Sequence, residues 1–150
     1  MAEMRTRKTI IGERTLLAFD FGTTRIGVAV GQELLGTASA LTPLPARDGI
    51  PNQEALKKLI DEWQPDLFIV GLPINMDGTE SEMSRRARKF GNRLYGHYGK
   101  PWFGVDERGT TKQAKSIAKD LGHRGSYKDN PVDGIAAQLI LEAWFADPQG

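Results

Sequence analysis

Two four-residue runs, Leu16-Leu17-Ala18-Phe19 and Leu67-Phe68-Ile69-Val70, are apolar at every position. A strand with one face in water alternates apolar and polar residues, so an unbroken short run reads as a strand buried on both faces. Such strands sit at the centre of a sheet covered above and below, which points to an α/β fold. The first run ends at Asp20, and the turn Phe21-Gly22-Thr23-Thr24-Arg25 leads into a second strand over Ile26–Gly31. Small residues alternate from Gly36 to Leu41 and mark a third strand. Linkers this short make the three an antiparallel meander.

Helical spacing takes over after Pro51. Leu56, Leu59, Ile60 and Trp63 form one apolar stripe, and Pro65 stops it. The strand over Asp66–Gly71 follows. Thr79 and Glu82 have the spacing of a capping box, opening a helix from about Ser81 to Tyr98 that buries Met83, Ala87, Phe90 and Leu94. Pro101–Val105 is a short strand. Ala114, Ile117, Ala118 and Leu121 mark a further helix closed by Gly122, and Asn130-Pro131 opens a last one with Val132, Ala136, Leu139 and Ala143 inward. The expected architecture is one five-stranded mixed sheet, a meander followed by βα crossovers, with helices on both faces.

At 150 residues the chain has room for one domain. Residues 1–13 are polar and read as a flexible tail ahead of a single domain over 14–150. There is no cysteine, which excludes disulfides, thiolate zinc sites and cysteine nucleophiles. No apolar run is long enough to span a membrane, and the basic start lacks the apolar segment of a secretory signal. The expected location is cytoplasmic. Twenty Lys and Arg against nineteen Asp and Glu give +1, so a whole-protein field for nucleic acid is excluded while a local basic patch is not.

In open α/β sheets, sites form beyond the ends of central strands. Asp20 ends the first strand, Asp106-Glu107 ends the last, and Asp133 lies in the first turn of the final helix. Three acids from distant parts of the chain can thus meet at one sheet edge. Clustered carboxylates repel unless a cation compensates them, and a hard divalent ion suits all-oxygen ligands. Two such ions would clamp the attacking water and the leaving oxygen of a phosphodiester displacement. Each acid also has a plain structural reading: an Asx turn for Asp20, helix capping for Asp133, and an exposed ion pair for Glu107 with Arg108. Spacing alone leaves these alternatives open.

Arg85, Arg86, Arg88, Lys89 and Arg93 place five cations within nine positions, on the side opposite the helix's apolar stripe. Charge of one sign on a near-neutral protein resembles a phosphate track, although charged outer faces are commonly only solvated. His97, His123, Met76, Met83 and the three tryptophans fit structural roles as well as chemical ones. The turn at Gly22 is no Walker loop, because no lysine follows at the required spacing.

The blocks LLAFDFGTTRIGVAVG, DLFIVGLPINMDGTESEMSRRARKF, VDER and PVDGIAAQLILEAWF stand in the order and spacing of the YqgF family of pre-16S rRNA nucleases. That family is also described as Holliday junction resolvase-like, with an RNase H-like fold. The resemblance spans roughly residues 14–146. It implies that Asp20, Glu107 and Asp133 are the catalytic, metal-binding carboxylates, with Asp106 as the alternative to Glu107, since neighbours on a strand face opposite sides. It implies two magnesium or manganese ions and phosphodiester hydrolysis in maturing the 5′ end of small-subunit ribosomal RNA. Structured nucleic acid is the expected partner, pre-16S rRNA ahead of branched DNA. The cations of the basic helix, with Arg25, Arg108 and Lys128, are the expected phosphate contacts.

Two positions depart from the family pattern: Gly109 follows the DER block where leucine is common, and Pro131 stands where a lysine is common, with Lys128 three residues earlier. DFGTT also resembles the phosphate loop of actin-like ATPases, but 150 residues cannot supply the second domain they need. A non-catalytic RNA-binding assembly factor on the same fold is the stronger rival, needing the cations but not the acids. No self-complementary apolar stripe is evident, so a monomer or weak homodimer is expected.

Overall fold

The computed structural model describes residues 12–106 and 131–146. The helix expected around Ala114–Leu121 lies outside these, as do Glu107, Arg108, Gly109, His123 and Lys128. Six strands form one sheet: β1 (Thr15–Asp20), β2 (Arg25–Gln32), β3 (Thr37–Arg47), β4 (Ile50–Pro51), β5 (Leu67–Leu72) and β6 (Trp102–Asp106). Their spatial order is β4-β3-β2-β1-β5-β6. The first four strands are antiparallel neighbours, whereas β1, β5 and β6 run parallel. The helices are α1 (Gln53–Trp63), α2 (Glu82–Tyr98) and α3 (Pro131–Ala146).

Both all-apolar runs are central and buried on both faces. Leu17, Phe19, Phe68 and Val70 pack beneath α1 and α2, with Leu56, Ile60, Ala87, Phe90 and Leu94. Leu16, Ala18, Leu67 and Ile69 pack on the other face, against Ala137, Ile140, Leu141 and Trp144 of α3. The alternation within β1 therefore sorts its residues cleanly between two cores.

The structure corrects the expected sheet in strand number, six rather than five. β3 continues past Leu41 to Arg47 and folds back through Asp48-Gly49 onto β4. Both loop residues have positive φ, 52° and 81°, the conformation that a two-residue hairpin turn of the favoured hand requires. Asp-Gly is the sequence signal for such a turn.

Three further expectations change. Ser81, not Thr79, caps α2: its side chain accepts the Ser84 N–H at 2.9 Å. Thr79 instead closes the preceding loop, its hydroxyl donating to Asp77 at 2.6 Å. The inward face of α3 is carried by Ala136, Ala137, Ile140, Leu141 and Trp144, while Leu139 and Ala143 are only half-buried. That helix is apolar nearly all round, so periodicity could not choose its face. Met83 of α2 is likewise half-buried at the core margin.

Candidate active edge and nucleic-acid interface

The parallel strands β1, β5 and β6 all end at one sheet edge. Phe19 is level with Val70, and Val70 with Gly104. Asp20 is therefore level with Gly71 and Val105, and Asp106 lies one residue further out on β6. Asp20 is half-buried and follows Leu16 and Ala18 on the face covered by α3. Its partner across the β1–β2 pair is Gly27, which has no side chain to fill the space beside the carboxylate. At that level β3 bulges, setting two residues between Leu41 and Leu44 against the single residue between Ile26 and Val28. Bulges are common beside active sites because they re-aim the backbone.

The turn after Asp20 is tight. A Cβ on Gly22 would come within 2.3 Å of the Arg25 carbonyl oxygen, so only glycine lets the chain fold back there. Beyond it, the Gly49 N–H donates to the Thr23 carbonyl and the Ala46 N–H to that of Thr24. The β3–β4 hairpin thus braces the loop that carries Asp20.

Helix α3 runs antiparallel to β1. At its far end Trp144 lies under the Arg14 guanidinium, 5.5 Å from ring centroid to carbon, next to the start of β1. Near its beginning, a Cβ on Gly134 would meet Ala40 at 3.1 Å, level with Ala29 and Ala18. The first turn of α3, which includes position 133, consequently lies at the same sheet edge as Asp20. Asp106 reaches that edge from the other side: Phe103 and Val105 pack on the α3 face and Trp102 on the α2 face, so alternation assigns Asp106 to the α2 face. Among the described residues, no three acidic or histidine side chains form a metal-holding group. Glu107 lies outside the described residues.

The cations of α2 fall into distinct environments. Arg85 donates to Glu82 at 3.1 Å. Arg88 is gripped by Glu80 through two bonds, 3.0 and 2.9 Å. The Arg88 guanidinium, helped by the Ser84 hydroxyl, pushes the Glu80 carboxyl down to about 2. Arg86 reaches the hairpin, where its Nη2 donates to the Asp48 carbonyl oxygen at 2.8 Å and to Oδ1 at 2.9 Å. Lys89 and Arg93 are exposed and make no hydrogen bond or ion pair among the described residues. Arg25 is exposed at the start of β2, opposite Pro45.

The sequence reading missed the acids that answer these cations. Asp48 comes from a hairpin and Glu80 from a loop, neither of them on the helix, and only Glu82 has intrahelical spacing to Arg85.

Residues 14–147 match a family model described as RuvX, Holliday junction resolvase. The chain belongs to the RuvX family. A protein of Chromohalobacter salexigens named "Putative pre-16S rRNA nuclease" is 70% identical over 136 residues, covering 91% of this chain and 92% of the relative. A protein of the same name from Saccharophagus degradans is 58% identical over 132 residues, covering 88% and 93%. Among solved structures, the fowlpox virus resolvase with its Holliday junction substrate superposes with a TM-score of 0.53 at 11% identity, covering 91% of this chain and 99% of that one. The yeast mitochondrial Holliday junction resolvase Ydc2 gives 0.51 at 12% identity, covering 89% and 78%. At such identities these two structures speak for the fold alone: this RuvX chain has the resolvase-like mixed sheet with helices on both faces. Among its described residues, no helix is long and apolar enough to cross a membrane.

Proposed function

We propose that this RuvX-family enzyme is a metal-dependent nuclease that hydrolyses phosphodiester bonds of pre-16S rRNA, processing its 5′ end in the cytoplasm as a monomer or weak homodimer. The observation that supports the reading is that Asp20, on the α3 face at the end of β1, and the first turn of α3, the helix in whose sequence Asp133 stands, lie at one sheet edge. Asp106 belongs to the opposite face, which favours Glu107 as the acid contributed after β6. Asp20, Glu107 and Asp133 offer only carboxylate oxygens, a donor set suited to magnesium or manganese and unsuited to soft metals. Bound there, such ions supply Lewis-acid polarisation of the phosphodiester and activation of water.

The protein's own contribution is positioning. The Gly22 turn and the β3–β4 brace fix Asp20, and the neighbouring Gly27 leaves room beside it. The high identity to proteins named for pre-16S rRNA favours RNA over branched DNA as the substrate. The deciding experiment incubates end-labelled precursor rRNA and a four-way DNA junction with wild type and Asp20→Asn, with magnesium or with EDTA. The expected result is magnesium-dependent cut RNA, lowered in Asp20→Asn by more than the roughly 100-fold typical of outer-shell changes, with RNA affinity retained. Binding of RNA without cleavage by the wild type would refute the nuclease and favour an assembly factor. Cleavage of the junction alone would refute the RNA assignment.

A further inference from the structure

Ion pairing divides the basic face of α2 into two parts. Arg85 and Arg88 are spent on Glu82 and Glu80. Lys89 and Arg93, one helical turn apart, keep their charge unpaired among the described residues. Though exposed, they border a concavity. With Arg86 they line a cleft of about 280 Å³ whose other walls are Phe21, Asp48, Gly49, Ile50, Glu82 and Phe90; both carboxylates are already paired, Asp48 with Arg86 and Glu82 with Arg85.

We infer that this cleft is a phosphodiester subsite, in which Lys89, Arg93 and the remaining N–H groups of Arg86 hold phosphates of the substrate strand next to the one attacked at Asp20. The inference rests on the nuclease reading and adds where the strand runs. Three observations support it. Arg86 commits only Nη2 to Asp48, so the pair fixes the guanidinium in place while Nε and Nη1 remain available as donors. The hairpin wall is close and rigid: a Cβ on Gly49 would meet the Phe21 ring at 2.8 Å and Arg86 Nη2 at 3.2 Å, so the backbone itself forms that wall. Phe21, finally, is the residue after Asp20. Its ring packs on Phe90 of α2, with centroids 5.7 Å apart, whereas Asp20 belongs to the α3 face. A strand crossing the sheet edge at this point reaches the carboxylate on one side and the cationic cleft on the other.

The test measures binding of a fluorescein-labelled single-stranded oligoribonucleotide across a salt series, in an Asp20→Asn background so that the probe is not consumed. Each phosphate contact on a single strand contributes about 0.7 to the slope of log affinity against log salt. Lys89→Gln with Arg93→Gln should lower the slope by about 1.4, or about 25-fold weaker binding per decade of salt below 1 M. Arg88→Gln, whose partner Glu80 lies outside the cleft, should leave the slope unchanged, and a DNA oligonucleotide of the same sequence should show the same pattern, since phosphate is what is read. An unchanged slope in the Lys89/Arg93 pair overturns the subsite, as does an equal fall per residue in Arg88→Gln or a fall confined to RNA. A fall in the first pair supports the subsite whether or not the wild-type protein cleaves, which keeps its outcome separate from that of the nuclease assay.

Discussion

Replacing Gly91 with alanine sets two effects of opposite sign against each other. Gly91 lies in the interior of α2, where alanine is favoured over glycine by about 1 kcal/mol. Propensity alone would make Gly91→Ala stabilising. The helix, however, crosses β6 so closely at this point that the new Cβ would lie 2.4, 2.5 and 2.8 Å from Cδ2, Cε2 and Cε3 of Trp102. The indole must move, and it is tied to the helix by a 3.0 Å hydrogen bond from Nε1 to Asn92 Oδ1. Overpacking of this kind costs about 1–3 kcal/mol, and straining one exposed hydrogen bond adds about 0.5 kcal/mol. The net is a loss of about 0.5–2.5 kcal/mol, or a fall in melting temperature of about 1–10 °C for a chain of this size. Gly96 is the internal control. It belongs to the same helix, and a Cβ there meets nothing within 4 Å, so Gly96→Ala should stabilise by about 0.5 kcal/mol. Thermal melts and urea titrations of both variants decide the matter. If Gly91→Ala is as stable as Gly96→Ala, the close approach of α2 to β6 is wrong. Trp102→Leu should in turn rescue Gly91→Ala, giving a coupling of about 1 kcal/mol in a double-mutant cycle.

Other outcomes follow from the charged groups. The Glu80 carboxyl, followed by NMR, should titrate near 2 in the wild type and return towards the ordinary carboxylate range in Arg88→Gln. Asp48→Asn keeps a residue tolerant of positive φ but removes the negative charge that neutralises Arg86, so RNA binding should tighten and its salt slope steepen by up to about 0.7. Glu33 accepts two bonds from the Arg14 side chain at 2.9 Å, together with the Gly12 and Arg14 backbone N–H groups. Its carboxyl is held below the usual value of 4.5 mainly by the Arg14 hydrogen bond. The stabilisation is therefore complete above that value and lost as pH falls through the lowered native one. Glu33→Gln should cost about 1–2 kcal/mol at pH 7, between the exposed and buried limits for ion pairs, with the cost shrinking in acid melts. Magnesium should raise the melting midpoint of the wild type more than that of Asp20→Asn, because a ligand stabilises only the state that binds it.

What was legible in the sequence depended on how strongly each segment was over-determined. Leu16–Phe19 and Leu67–Val70 admit only a doubly buried strand, and both are central. The stripe of α2 was legible because its polar face is unambiguous. The face of α3 was not, since a helix of nearly unbroken apolar residues has no polar side to rule out. β4 escaped because two residues carry no periodicity, although Asp48-Gly49 announced the turn before it. At the candidate site, the strand-end position of Asp20 could be read from the run that precedes it. The pairing of Arg86 with Asp48 and of Arg88 with Glu80 could not, because it depends on where a hairpin and a loop come to rest in space. The sequence shows five like charges; folding leaves two of them unanswered among the described residues.

The outer edge of β3 bears on how the protein behaves among its own copies. β4 pairs only with Ala46 and Arg47, which leaves the long stretch from Thr37 to Leu44 without a strand partner on that side among the described strands. An open, flat edge is a template for a foreign strand, and repeated addition is how aggregates grow. This edge is a poor template. The Pro45 carbonyl accepts the Asn52 N–H at 2.8 Å, so that residue's backbone nitrogen also faces outward, where its ring offers no donor. The bulge just before it bends the strand and breaks the hydrogen-bond register a newcomer would need to follow. The irregularity beside Asp20 therefore has a second effect: the strand that shapes the edge carrying Asp20 is also kept from recruiting another chain.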